Sequence, residues 1–178
     1  MTRSNLTLHD VTVPSFLQNL RATRGVLERG LAHCSETGMD PAELVETRLA
    51  ADMHPLRFQV NSVVHHSLGA IQGVLAGAFS PPPDLGLLDY AALQALVADA
   101  EAKVQAISPE QLNAAADGEV EFSIKGRVLM RFVAADFLLS FSLPNFYFHA
   151  TTAYDILRMK GVQLGKRDYL GAMRIKAG

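Results

Sequence analysis

The chain has 178 residues, 49% of them hydrophobic, a formal net charge of −2 and a single cysteine. That length suits one hydrophobic core, so one domain over residues 1–178 is expected, and the scattered Lys and Arg residues give no phosphate-tracking surface, which excludes a nucleic-acid partner. Cys34 alone can form neither an intrachain disulfide nor a cysteine metal site, and the segment Met1 to Asp10 is polar; with no secretory leader in it, a reducing, cytoplasmic setting is expected. The most apolar stretch, Phe132 to Phe148, is broken by Asp136, Pro144 and Asn145, short of the ~20 clean apolar residues that a membrane span requires.

Apolar residues recur with helical spacing in four long stretches. The first runs through Phe16, Leu20, Leu27 and Leu31, with Pro14 placed in or just before its first turn, and stops near Gly38. A short helix follows, announced by Asp40 as cap, Pro41 at the first helical position and Glu43 two residues on. The second stretch carries Leu56, Val60, Val63, Ile71 and Val74, opens near Asp52 and closes near Gly77, after which Pro81, Pro82 and Pro83 force an extended crossing. The third, Leu93 to Ile107, begins at Asp89 and ends before a short capped turn at Ser108-Pro109.

The helical pattern then breaks. Val120, Phe122 and Ile124 alternate with polar residues, Lys125-Gly126 makes a tight turn, and Val128, Met130 and Phe132 alternate again, which predicts a hairpin. A last stretch, Ala134 to Lys160, keeps Leu138, Phe141, Phe148, Thr152 and Ile156 near one face and ends at Gly161; Pro144 inside it is expected to kink one long helix. The whole reads as an all-α fold, a four-helix bundle with a small β-hairpin inserted before the last long helix.

Six histidines draw attention first. Taken as an ideal helix, the second stretch puts His54, Asn61 and His65 on one stripe and turns His66 elsewhere, while Asn145 and His149 share a face with Thr152 in the last. If the two helices are neighbours, Asn61 or His65 approaches Asn145 and His149, and Asn61, His65, Asn145, His149 and Thr152 form the candidate ligand pocket. No His-x-x-x-His or Glu-x-x-His pair occurs, and amides are poor transition-metal donors, so a hydrogen-bonded polar layer is expected in place of a metal site, and no cofactor. His9 and His33 are expected at the surface. Cys34, beside His33, is no nucleophile-base couple, because adjacent helical residues do not face each other. Tyr147, Thr151, Tyr154 and Arg158 form a packing stripe, Gly73 and Gly77 a site of close packing, and the tail from Gly165 to Gly171 a strap over one end of the bundle.

The run Leu143-Pro144-Asn145-Phe146-Tyr147-Phe148-His149, followed by Thr151-Thr152-Ala153-Tyr154-Asp155-Ile156-Leu157-Arg158 and Gly165-Lys166-Arg167-Asp168-Tyr169-Leu170, resembles an uncharacterised bacterial branch of the DinB/YfiT-like superfamily. Asp52-Met53 and Phe58-Gln59-Val60 belong to the same pattern. The resemblance implies that superfamily's four-helix topology and a homodimer. It also implies nickel or zinc held by three histidines, one on the second helix and a pair on the last; the matching positions here are Asn61, Asn145 and His149, with His65 one turn beyond Asn61. Three functions follow: a small-molecule binding or regulatory bundle with a degenerate metal site; a metal-dependent thiol transferase or hydrolase using His65 and His149; and a non-catalytic structural homodimer.

Overall fold

The computed structural model describes residues 6–176, so the first five residues of the polar N-terminal segment lie outside it. Helix α1 (Leu8–Thr37) starts earlier than Pro14 suggested, because Thr7 and Asp10 close a capping box on each other's main-chain N–H groups. Pro14 therefore sits inside the helix. A proline there costs roughly 3 kcal/mol, which the burial of Val13, Phe16, Leu17 and Leu20 on the same segment offsets at roughly 1.5–3 kcal/mol each. Gly38, at φ 74°, terminates α1 in the left-handed conformation.

The short α2 (Pro41–Glu46) is capped by Asp40, as its sequence announced. The next helix opens at Leu56, not near Asp52: Pro55 keeps His54 out of helical geometry, and residues 47–54 turn instead. It runs through α3 (Leu56–Val64), a π-helical turn (His65–Gly69) and α4 (Ala70–Ala76), and ends at Gly77 with φ 72°. Strand β1 (Ala78–Phe79) and the proline crossing lead to α5 (Tyr90–Gln105), capped by Asp89, and to α6 (Pro109–Ala114), capped by Ser108. The hairpin is β2 (Glu119–Ile124) and β3 (Arg127–Val133), turned by Lys125 at φ 50° and Gly126 at φ 78°. Then come α7 (Ala134–Asp136), a second π-helical turn (Phe137–Ser142), α8 (Leu143–Met159) and α9 (Lys166–Leu170).

The long helices form a ring in which α1 meets α5, α5 meets α3, α3 meets α8 and α8 meets α1. Leu20, Leu27, Leu56, Val60, Leu93, Val97, Phe146 and Ile156 fill its centre and are buried. Tyr90 reaches across to donate to the Leu27 carbonyl at 2.9 Å, through space that only a glycine at position 30 leaves open. The hairpin is not alone: β1 pairs parallel to β2, giving the order β1-β2-β3. Its inner face and the second π turn surround Phe79 with Phe122, Phe137 and Phe141, an aromatic cluster at one end of the bundle. The tail is a strap, but it lies along the middle of α1 and α8 and not over one end of the bundle as expected: Gln18 donates to the Leu170 carbonyl at 2.8 Å, Arg29 pairs with Asp168 at 3.2 Å, and Tyr169 packs edge-on against Tyr154. Among the described residues, no helix is long and apolar enough to cross a membrane.

Candidate functional site

The buried face of α3 is the stripe Leu56, Gln59, Val60, Val63 and His66. His66 is 6% exposed and faces the last helix, where its ring lies nearly parallel to that of His149, with 14° between planes and centroids 5.7 Å apart. The stripe drawn through His54, Asn61 and His65 thus gives way to another. His54 lies outside the helix, and Asn61 and His65 share a face that meets the proline crossing and not the last helix. The two widened turns face each other: Ser142, closing the second, donates to the His66 carbonyl in the first at 2.8 Å, a buried bond.

Four of the five residues expected to line a pocket are spent on main-chain carbonyls. Asn61 donates to Pro83 at 3.0 Å and His65 to Ser80 at 2.7 Å, so both fasten the proline crossing to α3. Asn145 donates to Phe141 at 2.7 Å and Thr152 to Phe148 at 2.8 Å, each one turn back on its own helix. The polar layer expected from Asn61, Asn145 and His149 is therefore replaced by another set. His149 instead meets Gln59, with its Nδ1 2.8 Å from Gln59 Oε1, and the Gln59 amide nitrogen donates to the His54 carbonyl at 2.9 Å. Gln59 and His66 had a signal: they fall three and ten residues after Leu56, on the apolar stripe itself.

Burial, with His65 and His149 close by, pushes the His66 imidazole down to about 3, and its Nδ1 is buried without a hydrogen-bond partner. Burial, and then His54, pushes His149 down to about 4. Burial also lowers His65, against the opposing pull of the Ser80 carbonyl. All three rings are neutral at pH 7, good acceptors and poor bases. Phe58 links this array to a surface cleft, since its ring stacks on His54 at 4.0 Å and meets His149 edge-on at 6.0 Å. The cleft, of ≈ 330 Å³, lies between α3 and the proline crossing and is lined by His54, Arg57, Phe58, Asn61, Pro83 and Leu85, among others. The candidate pocket had been expected between the second and last helices; this cleft opens on the outer side of α3 instead, because Phe146, Val63 and their neighbours fill the interior.

A three-histidine nickel or zinc centre does not fit these residues. The positions implied for it hold Asn61 and Asn145, whose amides are hydrogen-bonded elsewhere, and His65 is turned to Ser80 and stacked on Phe79 at 4.4 Å. Among the described residues, no group of three or more His, Cys, Asp or Glu side chains converges. His9 and His33, expected at the surface, are half-buried, and Arg158 donates to the Val162 carbonyl at 2.9 Å. Cys34 is 2% exposed, and burial together with Asp40 and Glu43 pushes its thiol up, away from reactivity.

No functionally curated protein matches the sequence. A solved crystal structure of a DinB family member protein from Shewanella denitrificans is similar, with a TM-score of 0.77 and 29% identity over 96% of each chain. The sequence profile of the domain of unknown function DUF1993 matches residues 8–170. That span takes in all four bundle helices, the hairpin, the histidine array and the strap, and by it the chain belongs to the DUF1993 family, a DinB-like helical fold.

Proposed function

We propose that the chain is a small-molecule-binding bundle with a degenerate metal site, working in the cytoplasm. The observation that carries this reading is the junction at Phe58, a ring that lines the surface cleft and on its other side meets the neutral imidazole of His149, itself stacked on His66. A concave site with apolar walls and a few oriented polar atoms is the usual form of a ligand pocket. The donor set supports binding without a resident metal: transferase or hydrolase chemistry at nickel or zinc would need a third firm ligand, and the side chains at the matching positions hold main-chain carbonyls.

A homodimer is part of the same proposal. Strand β3 is the outer strand of its sheet and exposes Val128, Leu129, Met130 and Val133, an apolar edge of the kind that pairs with another chain.

The binding reading is tested by a fragment screen on protein purified without chelator or nickel resin, with elemental analysis alongside. Neutral aromatic fragments are expected to raise the melting temperature and to shift the resonances of His54, Phe58 and His149, and the Phe58→Ala variant to lose those shifts while staying folded. Metal is expected at substoichiometric levels. One nickel or zinc per chain, or fragment binding indifferent to Phe58, would refute it.

A further inference from the structure

Gln59 is 2% exposed, and its amide is held at both ends. Its nitrogen lies 2.9 Å from the His54 carbonyl oxygen, which can only accept, so the NH2 end must face it. This turns Oε1 toward His149 Nδ1 at 2.8 Å. An amide oxygen also accepts only, so Nδ1 must carry the proton. A neutral imidazole has one N–H, and the lone pair is then on Nε2. Flipping the amide would set oxygen against oxygen at the His54 carbonyl, a repulsion that no change of tautomer at His149 relieves.

From this chain of donors and acceptors we infer that Gln59 is a positioning residue. It fixes His149 as the Nδ1–H tautomer and leaves Nε2 as the lone-pair nitrogen, so that a ligand reaching this ring from the cleft, past Phe58, is selected for a hydrogen-bond donor over an anion. The selectivity rests on the binding function proposed above; the tautomer does not. The charges around the cleft agree. The Arg57 guanidinium is held by Glu46 at 2.7 Å, and Asp84, which accepts from the Gly86 N–H at 2.9 Å, adds a carboxylate to the same wall. His66, the ring stacked on His149, is a neutral imidazole as well.

Long-range proton–nitrogen correlation spectra of the full-length, nitrogen-labelled chain at neutral pH read the tautomer directly. The wild type is expected to show a protonated, pyrrole-type Nδ1 and an unprotonated, pyridine-type Nε2 at His149. Gln59→Met removes the acceptor, and His149 should revert to the Nε2–H form that free histidine prefers. Gln59→Glu keeps an acceptor and should restore the proton on Nδ1. Phenol and benzoate, one ring with opposite hydrogen-bonding character, then report the selectivity: phenol should bind roughly tenfold more tightly or better, the ratio expected when a polar group is left unpaired.

An Nε2–H wild type, or a tautomer unmoved by Gln59→Met in a folded variant, overturns the assignment. Should that variant not fold, the wild-type spectrum decides alone. Benzoate binding as tightly as phenol overturns the selectivity. If neither probe disturbs His149 while the Nδ1–H tautomer is present, the binding function fails and the positioning role stands.

Discussion

His66 shows what a single side chain can reveal about the interior. In the unfolded chain it titrates near 6.5, while in the fold burial holds it down to about 3. Between those values the unfolded chain binds a proton that the folded chain refuses, so stability is fully present above about pH 6.5 and declines as pH falls toward about 3. His149 adds a second contribution of the same sign, lost by about pH 4. His65 and His149 are the titratable groups that face His66, and neither offers it a countercharge. His66→Phe should therefore flatten the dependence of urea midpoints on pH below 6.5 by at most about 1.4 kcal/mol per pH unit, the value of one proton. Because Nδ1 of His66 is buried without a partner, the variant should be as stable as the wild type or more so at pH 7. An unchanged pH slope would mean that His66 is not a buried neutral ring. At this scale the sequence showed His149 but not its partners. Gln59 and His66 lay on the apolar stripe, where a polar residue reads as an interruption until the facing helix is known.

The two π-helical turns are the decisive elements. Each lies in a helix that borders the histidine array, and the Ser142 hydroxyl joins them through the His66 carbonyl. A widened turn holds its carbonyls farther from their usual helical donors, and a hydroxyl from the neighbouring helix can supply one. Ser142→Ala should cost about 1–3 kcal/mol in denaturant unfolding, the usual penalty for stranding a buried polar group. A loss below ~0.5 kcal/mol, within the range of ordinary surface substitutions, would show that the two turns are held apart from this bond. Pro144 had suggested a kink by itself; it lies just past the π turn, in a run that stays helical from Ala134 to Met159. Caps and turns were plainer. Asp40, Asp89, Ser108, Gly38, Gly77 and Lys125-Gly126 all act where local chemistry placed them, because a cap needs only its own few neighbours.

For the molecule as a whole, the ring of four helices carries α9 on the outside of α1, and the three-stranded sheet leaves β3 as an edge among the described residues. The proposed dimer uses that edge. Light scattering on the wild type should give twice the 19.3 kDa chain mass, and Leu129→Lys, which places a charge on a half-exposed apolar position, should return it to one chain without loss of helix content. A monomeric wild type at high concentration would remove the dimer from the proposal.

The sequence by itself determined the helix count, the hairpin, most of the caps and the strap, since periodicity and capping depend on residues within one or two turns of each other. It also limited the chemistry, by offering amides where a metal centre would need imidazoles. Only the tertiary structure decided which polar atoms meet. Main-chain carbonyls at Ser80, Pro83, Phe141 and Phe148 claimed four of the five expected site residues, and the packing of α3 against α8 set Gln59 and His66 opposite His149. Such choices depend on distances between segments far apart in the chain, and a spacing rule written for an ideal helix does not carry them.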